Sequence, residues 1–388
     1  MLAMLAMLAI LAMLAMKLWH LISPEFPPMP GGVSEHSRVL VEAASSRGLD
    51  VHVWTAPGGA ALGNGMSVEV HPSLGGFGAD DIARTSALLD AFPRPRRIVL
   101  QWVPHGYGHR GMNLPFARWI AGRARAGDEI DVMVHEPFAD FTGPSLIQPV
   151  RALVQRSMAR AVVGSAERVW LSIPGWTPRV APLLRPAVTP RVLPIPGTIP
   201  VNRDRPGIAA LRRHLLGEAK ALVGYFGAGG RYVEAALDRA FGEIAAERDD
   251  IRFVLMGRGT RELARRLRRR KGLCATGLLH ARDLSQHLQA CDLLLQPYVD
   301  GISGRRTTTI SALEHAVPVV TTFGPLSEPF WRETAAVETI AAGTPELLAE
   351  AVERLLEPRR NAEARSAALT LYAARFDPRV ALEPLFAD

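Results

Sequence analysis

The chain has 388 residues, of which 48% are hydrophobic and 21% charged, and its formal net charge is +7. This length suits two domains with separate cores, and the composition excludes an intrinsically disordered chain. The basic excess favours phosphorylated or membrane-surface ligands, whereas a nucleic-acid partner is not expected because no recognised binding module accompanies the charge. Two cysteines, Cys274 and Cys291, cannot form a disulfide framework, and we interpret both as reduced core residues of a cytoplasmic protein, with no metal site implied.

Residues 1–16 form an apolar leader in which Met-Leu-Ala repeats with one Ile variant. The leader is shorter than the ~20 residues that span a bilayer, and its first positive charge, Lys17, follows the apolar run. In a signal peptide the charge would precede that run. We interpret the leader as the product of a mis-assigned start codon, with a short membrane-surface anchor as the alternative.

The first domain is predicted to cover residues 17–185. Short apolar strands alternate with helical stretches, which is typical of α/β layers around a parallel sheet. A helix capped by Ser34 is predicted to run to about Ser46. The strands of this domain are predicted at residues 18–23, 51–54, 98–103, 130–134 and 161–163.

A second α/β domain is predicted at residues 207–370. Prolines recur between residues 174 and 206, and residues 186–206 are assigned as the interdomain linker. The strands of the second domain are predicted at residues 221–226, 251–256, 292–296 and 317–321. The last segment is helical in pattern from about residue 359, and residues 371–388 are predicted to return and brace the first domain.

The first candidate binding loop, residues 27–37, joins the first strand to its helix. Gly31 and Gly32 allow the backbone to approach a ligand, and the helix start, which includes His36, presents free amides. We therefore assign Gly31, Gly32 and His36 to acceptor binding. A plain proline-rich turn is the alternative.

Two further polar segments follow strands of the first domain. Residues 104–111 contain three glycines among polar side chains, a pattern that suits recognition of sugar hydroxyls, with a solvated surface loop as the alternative. The acceptor-binding candidates here are His105, Tyr107, His109 and Arg110. His135 ends the strand 130–134, where it could form a hydrogen bond with a substrate hydroxyl, and a structural hydrogen-bonding role is the alternative.

The segment 298–315 is predicted to hold a diphosphate. Its glycines permit tight turns, Arg305 and Arg306 supply phosphate donors, and three consecutive threonines begin a helix whose amides favour an anion. Glu314 lies about two turns further on, within reach of a ribose. The donor-binding candidates are Asp300, Gly301, Ser303, Gly304, Thr307, Thr308 and Glu314. A capped, charged surface helix is the alternative.

A smaller glycine loop follows the strand 221–226. Gly229 and Gly230 are further donor-binding candidates, and Arg231 could reach a phosphate. The loop is not the dinucleotide fingerprint, because Tyr232 stands where the third glycine belongs.

Taken in this order, the loops resemble the family 4 retaining glycosyltransferases, and the resemblance covers nearly the whole chain from Lys17. Residues 30–36 are similar to that family's glycine-rich acceptor-side loop, and His135 falls where the family often has a His near the donor sugar. Residues 300–308 and 314–320 look like its donor-binding segment. The resemblance implies the GT-B fold, in which two Rossmann-like domains face each other across a cleft, with a nucleotide sugar held by the C-terminal domain.

The chain departs from the family at two places. The family has two Glu residues separated by seven positions, and Glu314 matches the second, but Arg306 occupies the first. The family's Arg and Lys after the first strand of the C-terminal domain are reduced to Arg231. Since the chain resembles a subgroup with Asp-Gly-x-Ser-x-Arg-Arg, we interpret Arg305 and Arg306 as moving the phosphate contacts to the helix start, which leaves the donor sugar open.

No clear Asp-x-Asp occurs from Lys17 onward, so no essential metal and no cofactor are expected. The catalytic candidates are His135, Arg231, Arg305 and Arg306, the three arginines acting on the leaving diphosphate.

The expected acceptor is a glycan, a lipid-linked molecule or a small molecule, and basic runs such as 265–271 could dock anionic lipid at the inner face of a membrane. A nucleotide-sugar epimerase and a catalytically silent sugar-binding relative are alternatives, and a nicotinamide-dependent dehydrogenase is disfavoured because the glycine fingerprint is missing.

Overall fold

The computed structural model describes residues 18–60, 68–143, 145–267 and 272–387. The chain divides into two compact units. The first contains the chain up to Pro194 together with the C-terminal segment that begins at Leu382, and the second is Ile195–Ala381. The division falls inside the proline-rich segment. The leader, residues 1–16, lies outside the described residues.

The first unit is built on a seven-stranded sheet in the order β3-β2-β1-β4-β5-β6-β7, with every neighbouring pair parallel. Its central strands are apolar runs that are almost fully buried, as expected for a parallel sheet within α/β layers. The strands are β1 (Leu18–Ile22), β2 (Asp50–Trp54), β3 (Val68–His71), β4 (Arg97–Trp102), β5 (Glu129–Val134), β6 (Arg168–Leu171) and β7 (Arg191–Val192).

The helices of the first unit connect these strands, and one of them corrects a prediction. The predicted strand 161–163 is wrong, because these residues form the last turn of the helix Gln148–Val163. Buried positions in that helix recur at the three- and four-residue spacing of one helix face. The α-helices of this unit are Gly32–Ser45, Ala79–Asp90, Leu114–Arg125, Gln148–Val163, Thr177–Val180 and Glu383–Phe386.

The C-terminal segment packs on the first unit. Glu383 accepts a hydrogen bond from Arg47 at 2.8 Å, and the carbonyl of Leu385 accepts one from Arg97 at 3.0 Å. The ring of Phe386 lies 5.5 Å from the ring of Trp19 on β1. The final helical turn is therefore held by both polar and aromatic contacts.

The second unit is built on a six-stranded parallel sheet in the order β10-β9-β8-β11-β12-β13. The strands are β8 (Ala221–Phe226), β9 (Ile251–Met256), β10 (Leu273–Gly277), β11 (Leu293–Gln296), β12 (Val319–Phe323) and β13 (Val337–Ala341). The α-helices are Arg205–Leu216, Arg231–Glu247, Thr260–Arg266, Ala281–Ala290, Thr307–Glu314, Leu348–Leu356, Pro358–Arg375 and Pro378–Ala381. None of the helices in the described ranges combines the length and the apolar character needed to cross a membrane.

Two local predictions need correction. Ser34 does not cap its helix: the N-cap residue is Gly31, and Ser34 is buried in the first turn, where its amide donates to the carboxylate of Glu25. Cys274 is not a core residue, since it lies exposed on β10, whereas Cys291 is buried as predicted. Within the short strand β10, Cys274 is exposed whereas its neighbours Leu273 and Ala275 are partly buried.

Candidate functional site

A pocket of about 410 Å³ lies at the carboxyl ends of β8 and β11 in the second unit. These strands are neighbours in the sheet but not in the sequence, so the pocket stands at the point where the strand order reverses. Open α/β sheets bind ligands at such switch points. The walls are the loop after β8, the start of the helix Arg231–Glu247, the loop after β11 and the start of the helix Thr307–Glu314.

The glycine loop after β8 forms one wall. Gly229 and Gly230 adopt φ values of 86° and 136°, which side chains disfavour, and the amide of Gly229 donates to the hydroxyl of Tyr225 at 3.0 Å. Burial raises the pKa of Tyr225 to about 12, so its hydroxyl stays protonated at neutral pH. Arg231 is exposed at the helix start, and no side chain in the described ranges pairs with it. It is therefore available to an anion in the pocket.

The opposite wall carries Arg305 and Arg306, both held by Asp300. One carboxylate oxygen of Asp300 accepts from Arg305 at 2.6 Å, and the other accepts from Arg306. The Arg306 guanidinium also lies over the ring of Tyr298. Because Asp300 and Tyr298 restrict these side chains, the two positive charges are fixed at the pocket before any ligand arrives.

The helix Thr307–Glu314 begins at this wall. The hydroxyl of Tyr298 bonds those of Thr308 and Thr309 at 2.7 and 2.8 Å, which ties the first turn of the helix to the loop. Thr307 and Thr308 line the pocket. The positive end of the helix dipole thus adds to the charge of the arginines.

The turn before the arginines is built by close backbone packing. Gly301 has φ 87°, and a Cβ atom there would lie 2.2 Å from the amide nitrogen of Gly324. The amide of Gly304 donates to both carboxylate oxygens of Glu328, at 3.1 and 3.2 Å, and burial raises the pKa of Glu328. Ser303 is fully buried. Gly301, Ser303 and Gly304 therefore shape the turn from behind and do not line the pocket wall.

Glu314 also lies away from the pocket wall. Its carboxylate accepts a hydrogen bond from the hydroxyl of Tyr372 at 2.9 Å and lies against Gly197, where an added Cβ would meet Glu314 Oε2 at 2.6 Å. Burial raises the pKa of Tyr372, and the carboxylate of Glu314 raises it further. Glu314 thus joins its helix to the helix Pro358–Arg375.

In the first unit, His36 and His135 share the side-chain oxygen of Gln101 on β4. Nδ1 of His36 lies 3.0 Å from this oxygen, Nε2 of His135 lies 2.5 Å from it, and the two rings meet edge to face at 4.9 Å. Burial lowers the pKa of His36 to about 4, and burial together with His36 and His105 holds the pKa of His135 well below its usual value. Both imidazoles are therefore neutral at pH 7 and act as hydrogen-bonding groups.

The predicted acceptor-binding residues of the loop after β4 differ in their exposure to solvent. His105, His109 and Arg110 are exposed on the loop after β4. The assignment of Tyr107 to acceptor binding does not hold, because its side chain is fully buried, stacks on Phe116 at 4.4 Å and donates to the carbonyl of Gln101. From the sequence alone, a tyrosine between two glycines could equally be a buried core residue or a residue that contacts a ligand.

The helix start at Gly31 and Gly32 already has an anion of its own. Glu25 Oε1 accepts from the amide of Ser34 at 3.0 Å, and a Cβ atom added to Gly31 would meet this oxygen at 2.0 Å. The amides that sequence reasoning expected to be free are thus partly satisfied by Glu25. Glu25, Gln101 and Glu328 were missed, because their roles depend on contacts between separate segments. Tyr298 was included as the first residue of the segment 298–315 but was given no role.

Two parallel α/β units, the second with a pocket at its switch point, are the architecture of the GT-B fold. Residues 223–358 match the family model described as glycosyl transferases group 1. The matched segment lies within the second unit, Ile195–Ala381.

Solved structures share this fold at low sequence identity. HepE from Anabaena, in complex with UDP and glucose, has a TM-score of 0.69 at 16% identity over 96% of this chain and 98% of that one. Sucrose-phosphate synthase from Thermosynechococcus elongatus has a TM-score of 0.69 at 16% identity, covering 95% and 99%. WaaG, a glycosyltransferase involved in lipopolysaccharide biosynthesis, has 0.66 at 16% identity, covering 95% and 98%. No curated protein sequence matches the chain.

Proposed function

We propose that the protein transfers a sugar from a nucleoside-diphosphate sugar to a hydroxyl group of a lipid-linked acceptor, with retention of the anomeric configuration. The observation that carries the donor assignment is the convergence of Arg231, Arg305 and Arg306 with two helix starts around one pocket. Guanidinium groups bind phosphate oxygens in pairs, and helix amides favour the same anion. A diphosphate is the group that uses all of these donors at once.

The same groups would promote the reaction by stabilising the leaving diphosphate. Negative charge grows on the departing oxygen in the transition state, and a preorganised donor there is worth about 2.7–4 kcal/mol. Arg305 and Arg306 are preorganised by Asp300, so little reorientation is needed. We propose that these charges replace a metal ion, and transfer is then expected to continue in excess EDTA.

A uridine nucleotide is the first donor to test. HepE has been crystallised with UDP and with UDP-glucose, which supports this choice by similarity of fold. We propose that His135, neutral and fixed by Gln101, offers a hydrogen bond to a sugar hydroxyl. Retention rests on the resemblance of residues 300–320 to retaining enzymes.

A lipid-linked acceptor is supported by the helix Gln148–Val163. Leu146 is fully exposed just before this helix, and Val150 and Leu153 are 58% and 61% exposed on its outer side. Arg156 and Arg160 follow on the exposed side one and two turns later. A row of apolar side chains beside positive charge suits the surface of a membrane with anionic lipids.

Thermal stabilisation across UDP, GDP, ADP, TDP, NAD and NADP tests the donor site. We expect one nucleoside diphosphate to stabilise the wild type and to lose this effect in Arg305→Ala/Arg306→Ala. Arg205→Ala/Arg213→Ala is a matched control, because it removes two exposed charges of the same unit outside the pocket. Failure of every diphosphate to stabilise the wild type would refute the donor site.

Turnover then separates an enzyme from a silent relative. The stabilising nucleotide, supplied as its sugar conjugate, should be consumed faster when a lipid-linked glycan is present, and proton NMR of the product should show the donor's anomeric configuration. Binding without turnover would favour a silent sugar-binding relative, and conversion of the donor without acceptor would favour an epimerase.

Vesicle binding tests the proposed membrane-facing surface at the helix Gln148–Val163. We expect Leu146→Ser/Val150→Ser/Leu153→Ser to lose binding to vesicles that contain anionic lipids, and Leu88→Ser to keep it.

A further inference from the structure

Two histidines and a glutamate lie together on one face of β2 and β3, in the first unit. The two strands are parallel, with His52 opposite Glu69 and Trp54 opposite His71. Since side chains two residues apart point to the same face of a strand, His52, Glu69 and His71 share that face. The arrangement follows from the register of the sheet and needs no loop.

The potential ligand atoms of these residues form a compact triangle. Nδ1 of His52 lies 3.0 Å from Nε2 of His71 and 3.5 Å from Oε2 of Glu69, and Nε2 of His71 lies 3.7 Å from Oε1 of Glu69. Throughout the ranges that the structure describes, no other three His, Cys, Asp or Glu side chains converge in this way.

We propose that His52, Glu69 and His71 form a binding site for a divalent transition-metal ion, with Zn²⁺ as the ion that their chemistry fits. Zinc binds imidazole nitrogen and carboxylate oxygen at about 2.0–2.2 Å in a tetrahedron, whose edges are then about 3.3–3.6 Å long. The observed separations of 3.0, 3.5 and 3.7 Å bracket this range. Two imidazoles and one carboxylate favour zinc over magnesium or calcium, which prefer oxygen ligands.

The side chains around the triangle hold its rings in place. The ring of Trp54 is stacked on His71 at 4.2 Å, and the indole nitrogen of Trp54 donates to Nδ1 of His20. Phe92 packs against His52 at 4.4 Å. This aromatic wall limits the motion of both imidazoles, as a preorganised metal site requires.

Exposure differs across the site in a way that suits entry of an ion. The side chains of His52 and His71 are 7% and 16% exposed, whereas that of Glu69 is 65% exposed. Glu69 therefore lies between the buried nitrogens and solvent. A water molecule would complete the tetrahedron from this side.

The site would have a stabilising role, apart from the sugar-transfer chemistry assigned to the second unit. β3 is the edge strand of its sheet, contains four residues and pairs only with β2. An ion bound by His52 from β2 and by Glu69 and His71 from β3 would cross-link the two strands. Ligands that bind the folded state raise its stability by mass action.

Zinc titration of tag-free, chelator-treated full-length protein tests this proposal. We expect one Zn²⁺ per chain by elemental analysis after dialysis, a rise in the melting temperature with Zn²⁺, and no comparable rise with Mg²⁺. Co²⁺ should give the strong visible absorption of a tetrahedral complex. Nucleotide binding by the second unit should be unaffected, so this proposal and the proposed function can fail separately.

Two variants and two controls decide the outcome. Glu69→Gln alters the most exposed ligand and is expected to weaken zinc binding at least tenfold without unfolding the unit, and His71→Asn should abolish the tetrahedral cobalt spectrum. Glu167→Gln and His109→Asn change exposed residues of the same unit and should bind as the wild type does. Less than one zinc per chain, or unchanged affinity in both ligand variants, would show that His52 and His71 share only a hydrogen bond.

Discussion

Arg306 lies over the aromatic ring of Tyr298, with its guanidinium carbon 4.4 Å from the ring centroid. The same guanidinium pairs with Asp300, while the Tyr298 hydroxyl bonds the threonines that begin the next helix. One pair of residues thus connects the positive charge at the pocket to the helix start beside it.

Arg306→Lys is expected to weaken nucleoside-diphosphate binding by about 5- to 150-fold. Lysine keeps the charge but loses the planar fork that contacts two phosphate oxygens and the stacking on Tyr298, and this difference is worth about 1–3 kcal/mol. Isothermal titration with the nucleotide that stabilises the wild type measures the change. Arg332→Lys is the matched control, because Arg332 lies over Phe323 at 3.7 Å but does not line the pocket. Equal affinities for the two variants would contradict the role of Arg306.

Tyr298→Phe is expected to lower the free energy of unfolding by about 1–2 kcal/mol. The change removes a partly buried hydroxyl that bonds Thr308 and Thr309 and leaves both threonines without this partner. Nucleotide affinity should fall less than in Arg306→Lys, since no charge is lost. Urea unfolding and titration of the same variant give both values, and a stability equal to wild type would show that the hydroxyl does not hold the helix.

The sequence predicted much of the fold because the central strands are mainly apolar and buried along most of their length. The predicted strands 221–226 and 251–256 have the observed bounds, and four strands of the first sheet are correct to within one residue at either end. Strands β3, β6, β7, β10 and β13 were missed. All of them except β6 are edge strands, and all five are short, with two to five residues each, so their composition alone did not distinguish them from loops. The apolar triplet 161–163 was misassigned because so short a run fits a buried helix as well as a strand.

The candidate site was predictable where one segment carries several groups. Arg305, Arg306, Thr307 and Thr308 are consecutive, so a single loop and helix start brought them to the pocket. The triangle of His52, Glu69 and His71 could not be found in this way, because it depends on a strand pairing absent from the prediction. For the same reason Glu25 was not predicted to bond the amide of Ser34 nine positions away.

Gly301→Ala is expected to destabilise the second unit by more than about 2 kcal/mol. Alanine is strained at φ 87°, and its Cβ would lie 2.2 Å from the amide nitrogen of Gly324, which cannot move without shifting the backbone. Thermal unfolding followed by far-ultraviolet circular dichroism measures the loss. Gly343→Ala, in the same unit with no atom within 4 Å of the added methyl group, should change little. A similar melting temperature for the two variants would mean that the Gly301 turn relaxes.

His36 is expected to make the first unit sensitive to acid. Burial lowers the pKa of His36 from 6.5 to about 4, so below pH 6.5 the unfolded chain binds a proton that the folded chain does not. The free energy of unfolding therefore falls as the pH drops from 6.5 to 4, and His36 alone contributes up to about 3 kcal/mol of this fall.

His36→Gln removes this titration and keeps an amide that can bond Gln101. We expect the variant to be less stable than the wild type at pH 7 but to lose less stability between pH 6.5 and 4, so that the two curves converge. Denaturant unfolding followed by tryptophan fluorescence reports mainly on the first unit, because six of the seven tryptophans lie there. His109→Gln, which changes an exposed imidazole of the same unit, should give a curve parallel to that of the wild type. If the curve for His36→Gln were also parallel to that of the wild type, His36 would take up its proton in the folded state. The conclusion that His36 and His135 are both neutral would then be wrong.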